Sequence, residues 1–199
     1  MAFGKNKKQN EEAIHPNNYC GGFAMCAILN DMAGSESNAP MDIYNEIQTQ
    51  HQQQLPASLA RLVENMGAAG NNTSICLPSS LVLFAQSKGL VAEIKYSENI
   101  NFTYDEIEAE KMRCSVTEGL ADEKAVLDCF CSKDVAYVLM LVNSCHWIAV
   151  KRKSLNKGFS VYDPGTGNSE KCVDKTALIE FLKREYRNVG ELIILLNQQ

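Results

Sequence analysis

The sequence is short of the features that define several large classes of protein. No stretch reaches the roughly 18 apolar residues needed to cross a bilayer. The opening run MAFGKNKKQNEE has no apolar core and does not read as a secretory signal peptide. Basic residues are not in excess: 19 Lys and Arg stand against 24 Asp and Glu, for a net charge of −5. That balance gives no sign of a protein built to bind nucleic acid through phosphates, and no nucleic-acid partner is expected. There are only three histidines and one tryptophan. Eight cysteines are present, at 20, 26, 76, 114, 129, 131, 145 and 172, but their irregular spacing forms neither a disulfide framework nor a paired CxxC zinc pattern. Cys129, Cys131, Cys145 and His146 fit no standard zinc template. Reduced thiols and a cytoplasmic location follow as the expectation, with export lacking a classical signal as the alternative.

What is present is an ordinary globular chain. Of 199 residues, 45% are hydrophobic and 22% charged, which fits one domain and excludes disorder and coiled coil. Residues 1–13 are polar and lysine-rich and read as a flexible leader; residues 14–199 read as a single domain. From Cys20 onward, Phe23, Met25, Cys26, Ile28, Leu29 and Met32 are apolar nearly all round a helix, the pattern of one buried in a core. GSESNAP is a loop. Met41–Gln50 and Leu59–Met66 predict helices separated by HQQQLP, and GAAGNNTS is the most loop-like segment. A helix over Ser80–Ser87, a strand at VAEIKYS and a helix over Ala121–Cys131 follow. Then AYVLMLV, HWIAVKR and FSVYD predict three strands, Lys175–Tyr186 an amphipathic helix and ELIILLN a last strand. The class is α+β, with a helical N-terminal half packed on a mainly antiparallel C-terminal sheet.

Two segments carry chemistry. In HPNNYCGGFAMCAILND, Cys20 opens the buried helix, so its sulfur lies at the positive end of the helix dipole, which favours thiolate. Gly21 and Gly22 leave no side chain beside the sulfur, which suggests room for a substrate backbone. In SCHWIAVKRKSLNKGFSVYDPGTG, a hairpin centred between Ser154 and Leu155 would set Val150 opposite Phe159 and His146 opposite Asp163. Directly opposed residues share a face, so the carboxylate would orient the imidazole. Cys20, His146 and Asp163 thus form a candidate nucleophile, base and orienter. Cys145 is a rival nucleophile, but alternation along a strand would turn it away from His146. Cys26 and Trp147 read as core, and the KRK run at 151–153 as solvated surface.

The segments YCGGFAMCAIL, HWIAV and VYDPGTG resemble the papain-like cysteine peptidase superfamily, closest to bacterial peptidases similar to the bacteriocin-leader-processing enzymes. TSICLPSSLVLFAQSKGLVAEIKYS resembles their intervening helix and strand, so the likeness spans residues 14–165. The Cys-Gly helix also resembles phytochelatin synthases, and the Asp-Pro ending resembles effector proteases that bacterial pathogens deliver to hosts. The resemblance implies a papain-like fold with its cleft between helical half and sheet. It implies a thiol hydrolase that cleaves a peptide or amide bond through Cys20, His146 and Asp163, with a thioacyl-enzyme intermediate. Its partner would be a peptide or protein substrate, with no metal or organic cofactor, no nucleic acid and no membrane. The same triad serves glutamine deamidation, transglutamination or removal of ubiquitin-like tails, and an inactive protease fold used for binding is the rival from another class. One position departs from the family. The glutamine expected five or six residues before the cysteine is replaced by His15 and Ile14, leaving Asn18, Asn17 or His15 as the side-chain donor to the oxyanion.

Overall fold

In the computed structural model, residue 3 and residues 19–67, 75–100, 102–114, 117–132, 135–153 and 158–198 are described. The first helix, α1 (Cys20–Ala33), begins at the cysteine itself and buries nine consecutive residues, Cys20 to Ile28. An all-round apolar sequence produces this, because no face of such a helix is left for water. It stops where Gly34, at φ +65°, turns left-handed and bonds back to the carbonyls of Asn30 and Asp31. Helix α2 (Pro40–Glu46) continues into a π-helical turn, Ile47–His51. Helices α3 (Ala57–Gly67) and α4 (Pro78–Ser87) complete the first half.

A seven-stranded sheet follows, built from β1 (Leu90–Ser97), β2 (Thr117–Leu120), β3 (Tyr137–Val142), β4 (His146–Arg152), β5 (Phe159–Asp163), β6 (Asn168–Cys172) and β7 (Val189–Gln198). Its spatial order is β2-β1-β7-β3-β4-β5-β6. Only the β1–β2 pairing is parallel among the described strands; the rest are antiparallel. Helices α5 (Tyr104–Arg113), α6 (Glu123–Ser132) and α7 (Lys175–Glu185) fill the connections.

The class is α+β, as the residue pattern predicts, but the helices do not all lie on one side. Leu139, Leu141, Trp147, Ala149, Tyr162 and Ile194 share one core with α1, α2 and α4. Val138, Met140, Ile148, Val150, Val161 and Ile193 share a second core with α6 and α7. A sheet covered on both faces needs apolar residues at every strand position, which is why YVLMLV and LIILL run without alternation.

Three elements escape the pattern reading. Helix α5 is charged along YDEIEAEKMR, and its start is fixed instead by a capping box in which Thr103 and Glu106 bond each other's backbone N–H. Strands β2 and β6 are short edge strands with few apolar residues.

The β4–β5 register also differs from the expected one. Val150 faces Val161 and Arg152 faces Phe159, a shift of two residues. Side-chain direction repeats every two residues, so an even shift preserves faces where an odd one would reverse them. His146 and Asp163 keep a common side, on the diagonal rather than directly opposed.

Gly21 and Gly22 serve the interior. A Cβ on Gly21 would lie 2.6 Å from the Cys76 Cβ and 2.9 Å from its sulfur; one on Gly22 would lie 2.6 Å from the Tyr44 Cβ and 2.8 Å from its Cα. The space expected for a substrate backbone is filled by the protein. Gly21→Ala and Gly22→Ala should each lower stability by about 1–3 kcal/mol, read from urea unfolding. Gly22→Ala should cost more, because its clash includes backbone.

Candidate active site

Cys20 sits at the first position of α1, and its sulfur accepts the backbone N–H of Trp147 at 3.3 Å. Trp147 is fully inside: its indole N–H donates to the Cys76 carbonyl at 2.9 Å. Cys76 lies under the same helix end, where its sulfur accepts the Gly22 N–H and faces the Gln48 amide at 3.9 Å. Burial first, and then the charge of Cys20, pushes the Cys76 thiol far up. Cys76 is therefore a neutral wall of the site. Cys20 is itself only 1% exposed, so its sulfur is covered by the surrounding protein.

Strand β4 begins at His146, directly before Trp147. The His146 Nε2 lies 2.7 Å from Asp163 Oδ1, and the ring also shares a hydrogen bond with Cys20. The side chains of His146 and Asp163 are 20% and 18% exposed. Burial pulls the His146 pKa down, but the Asp163 and Cys20 bonds and charges outweigh it and raise it to about 10. For Asp163, burial pushes the pKa up, yet the bond and charge of His146, the Tyr186 hydroxyl and the Gly165 N–H bring it below the ordinary carboxylate value. Gly165 N–H donates to Oδ1 at 2.7 Å and Tyr186 Oη–H to Oδ2 at 2.9 Å. An imidazolium held between a carboxylate and a sulfur can store a proton and deliver it to a leaving group.

The structure thus brings Cys20, His146 and Asp163 together. His15, Asn17 and Asn18 lie outside the described residues. Cys145 occupies the turn before β4 rather than the strand, so alternation does not govern it; it is exposed, and burial, Cys20 and Glu191 push its thiol up. His51 is elsewhere, with its ring 6.0 Å from Phe84. No group of three or more His, Cys, Asp or Glu side chains arranged to hold a metal is found among the described residues, nor is a helix long and apolar enough to cross a membrane. Sequence reasoning missed Tyr186, Gly165 and the Trp147 N–H. Tyr186 follows α7 by one residue, and nothing in its spacing points to Asp163.

No protein family and no curated protein matches the chain. Its structural neighbours are peptidase domains. The peptidase domain of Streptococcus ComA, a bi-functional ABC transporter involved in a quorum sensing pathway, is 10% identical, with 98% of this chain and 100% of that one covered and a TM-score of 0.49. A double glycine motif protease from an AMS/PCAT transporter, solved in complex with the leader peptide, is 11% identical, with 100% and 96% covered and a TM-score of 0.43.

The raised His146 pKa fixes the sign of a pH effect. Its value of about 10 lies above the ordinary 6.5, so the stability it contributes is complete below pH 6.5 and is lost as pH rises through about 10. The Asp163 contribution runs the other way: it is present above the ordinary 3.8 and lost as pH falls through its lower folded value. His146 ring resonances should hold at their protonated positions from pH 5 to 8. Asp163→Asn should bring their titration toward neutral and flatten the loss of urea midpoint between pH 7 and 10. Ordinary titration near 6.5 in the unmodified chain would refute the pairing.

Proposed function

We propose that the chain is a papain-like thiol hydrolase acting on peptide bonds, with Cys20 as nucleophile, His146 as acid and base, and Asp163 as orienter. The observation that carries this reading is the His146 ring joined to Asp163 on one side and to Cys20 on the other. The Cys20 sulfur attacks the scissile carbonyl carbon. The electron pair moves to oxygen, and the oxyanion meets the Cys20 backbone N–H at the helix N-terminus. The tetrahedral intermediate collapses as His146 protonates the departing amine, leaving a thioacyl-enzyme. Water then gives its proton to His146, attacks the thioester, and frees the acid and the sulfur. Asp163 keeps Nε2 engaged throughout, so that Nδ1 is the nitrogen presented to sulfur and substrate. We assign the second oxyanion donor to Asn18, two residues before the nucleophile, in place of the family's glutamine.

Peptide cleavage should disappear in Cys20→Ala and His146→Ala. Asn18→Ala should lose about 10²–10³ in kcat, the usual effect of removing one oxyanion donor, whereas Asn17→Ala and His15→Ala should stay near the parent rate. A small alkylating agent at neutral pH should modify Cys20 ahead of the exposed Cys145, and His146→Ala should slow it. If Cys145 reacts first and Cys20→Ala still cleaves, the assignment is wrong.

A further inference from the structure

We propose that Tyr186 is a positioning residue of this site: its hydroxyl pins the Asp163 carboxylate so that Oδ1 stays on His146. The catalytic part of this inference rests on the peptidase reading above; the positioning part rests on geometry alone.

Asp163 ends β5 and is followed by the Pro164-Gly165 turn. The torsion that orients a carboxylate has only broad minima, so the group turns freely unless donors hold it. Here both oxygens are held. Oδ1 takes His146 Nε2 and the Gly165 N–H, both at 2.7 Å, and Oδ2 takes Tyr186 at 2.9 Å. Without the hydroxyl, Oδ2 loses its one side-chain donor among the described residues, and Asp163 lines a cavity of about 400 Å³ together with Thr166, Asn168, Arg184 and Glu185. Water from that cavity would then compete for the carboxylate and draw it away from His146.

Tyr186 is itself held for this task. Its N–H bonds the Leu182 carbonyl at 2.9 Å as the C-cap of α7, and its ring packs edge-on against Phe181 at 6.5 Å. The residue is 8% exposed. Burial, followed by the charge of Asp163, pushes the phenol far above its usual range, so the hydroxyl remains a donor wherever the imidazolium persists.

The test uses Tyr186→Phe, which keeps the ring, in two backgrounds. In the otherwise unmodified chain, kcat should fall about tenfold with KM unchanged, as expected for one hydrogen bond to a charged group. In the Asp163→Asn background the same change should cost nothing further, because Tyr186 acts only through that carboxylate. The His146 Nε2–H proton resonance, which reports the bond to Asp163 without any substrate, should move upfield in Tyr186→Phe. Equal losses in both backgrounds with an unmoved resonance would reduce Tyr186 to packing and overturn the proposal. A chain that cleaves no peptide but still shows the resonance shift would sink the peptidase reading and leave the positioning role standing.

Discussion

The hydrogen bond from the Trp147 N–H to the Cys20 sulfur joins residues 127 positions apart, and the rest of the site depends on it. The two glycines after Cys20 let Cys76 and Tyr44 pack directly against the first turn of α1, in the places their side chains would take. The far end of α1 is tied to the same region of the sheet: Asp31 accepts the Tyr137 hydroxyl of β3 and pairs with Lys151 of β4. The helix is therefore pinned near both ends, by a backbone donor at the sulfur and a partly buried ion pair a few turns away. Its position along β4 leaves the sulfur no freedom to slide past His146.

Strand β4 then divides its labour by alternation. Trp147 points into the core beneath α1, while His146 takes the opposite side with Ile148 and Val150. At the strand's first residue the two sides meet, because the backbone N–H of one residue and the ring of its neighbour address the same sulfur. Burying an imidazolium here is costly unless its partners are close and well aligned. Asp163 meets that condition because three donors converge on it, one each from β4, the following turn and the end of α7. Burial alone would make His146 neutral; the partners reverse the sign.

The parts of this arrangement that were readable in the sequence share one property: they are set by local pattern. An all-apolar run declares α1 and places Cys20 at its mouth. Runs of β-branched and aromatic residues declare β4 and β5, with His146 and Asp163 at their ends. The register itself was not readable, because it depends on where the intervening turn closes, and residues 153–158 (KSLNKG) carry no two-residue turn signature. The expected pairing was off by two residues, and the triad geometry survived only because that number is even. Tyr186 and the Trp147 N–H were invisible for another reason. Each contributes through a tertiary contact, and neither a tyrosine after a helix nor a backbone amide leaves a spacing to find. Helix α5 lacks an apolar face, so its one signal was the Thr103–Glu106 box.

The order of the strands adds a constraint on how the site assembles. β7, the last strand, lies between β1 and β3, so the sheet is continuous only once the C-terminal segment has inserted. Without β7, the edges of β1 and β3 that it covers would carry unpaired backbone N–H and C=O groups. The segment that ends in β7 also carries α7 and Tyr186, so one stretch of chain supplies both an interior strand and the donor to Asp163. Closure of a pairing between distant parts of a chain is a slow, cooperative step. The contact that holds Asp163 in place thus comes from the same C-terminal segment that fills the gap between β1 and β3.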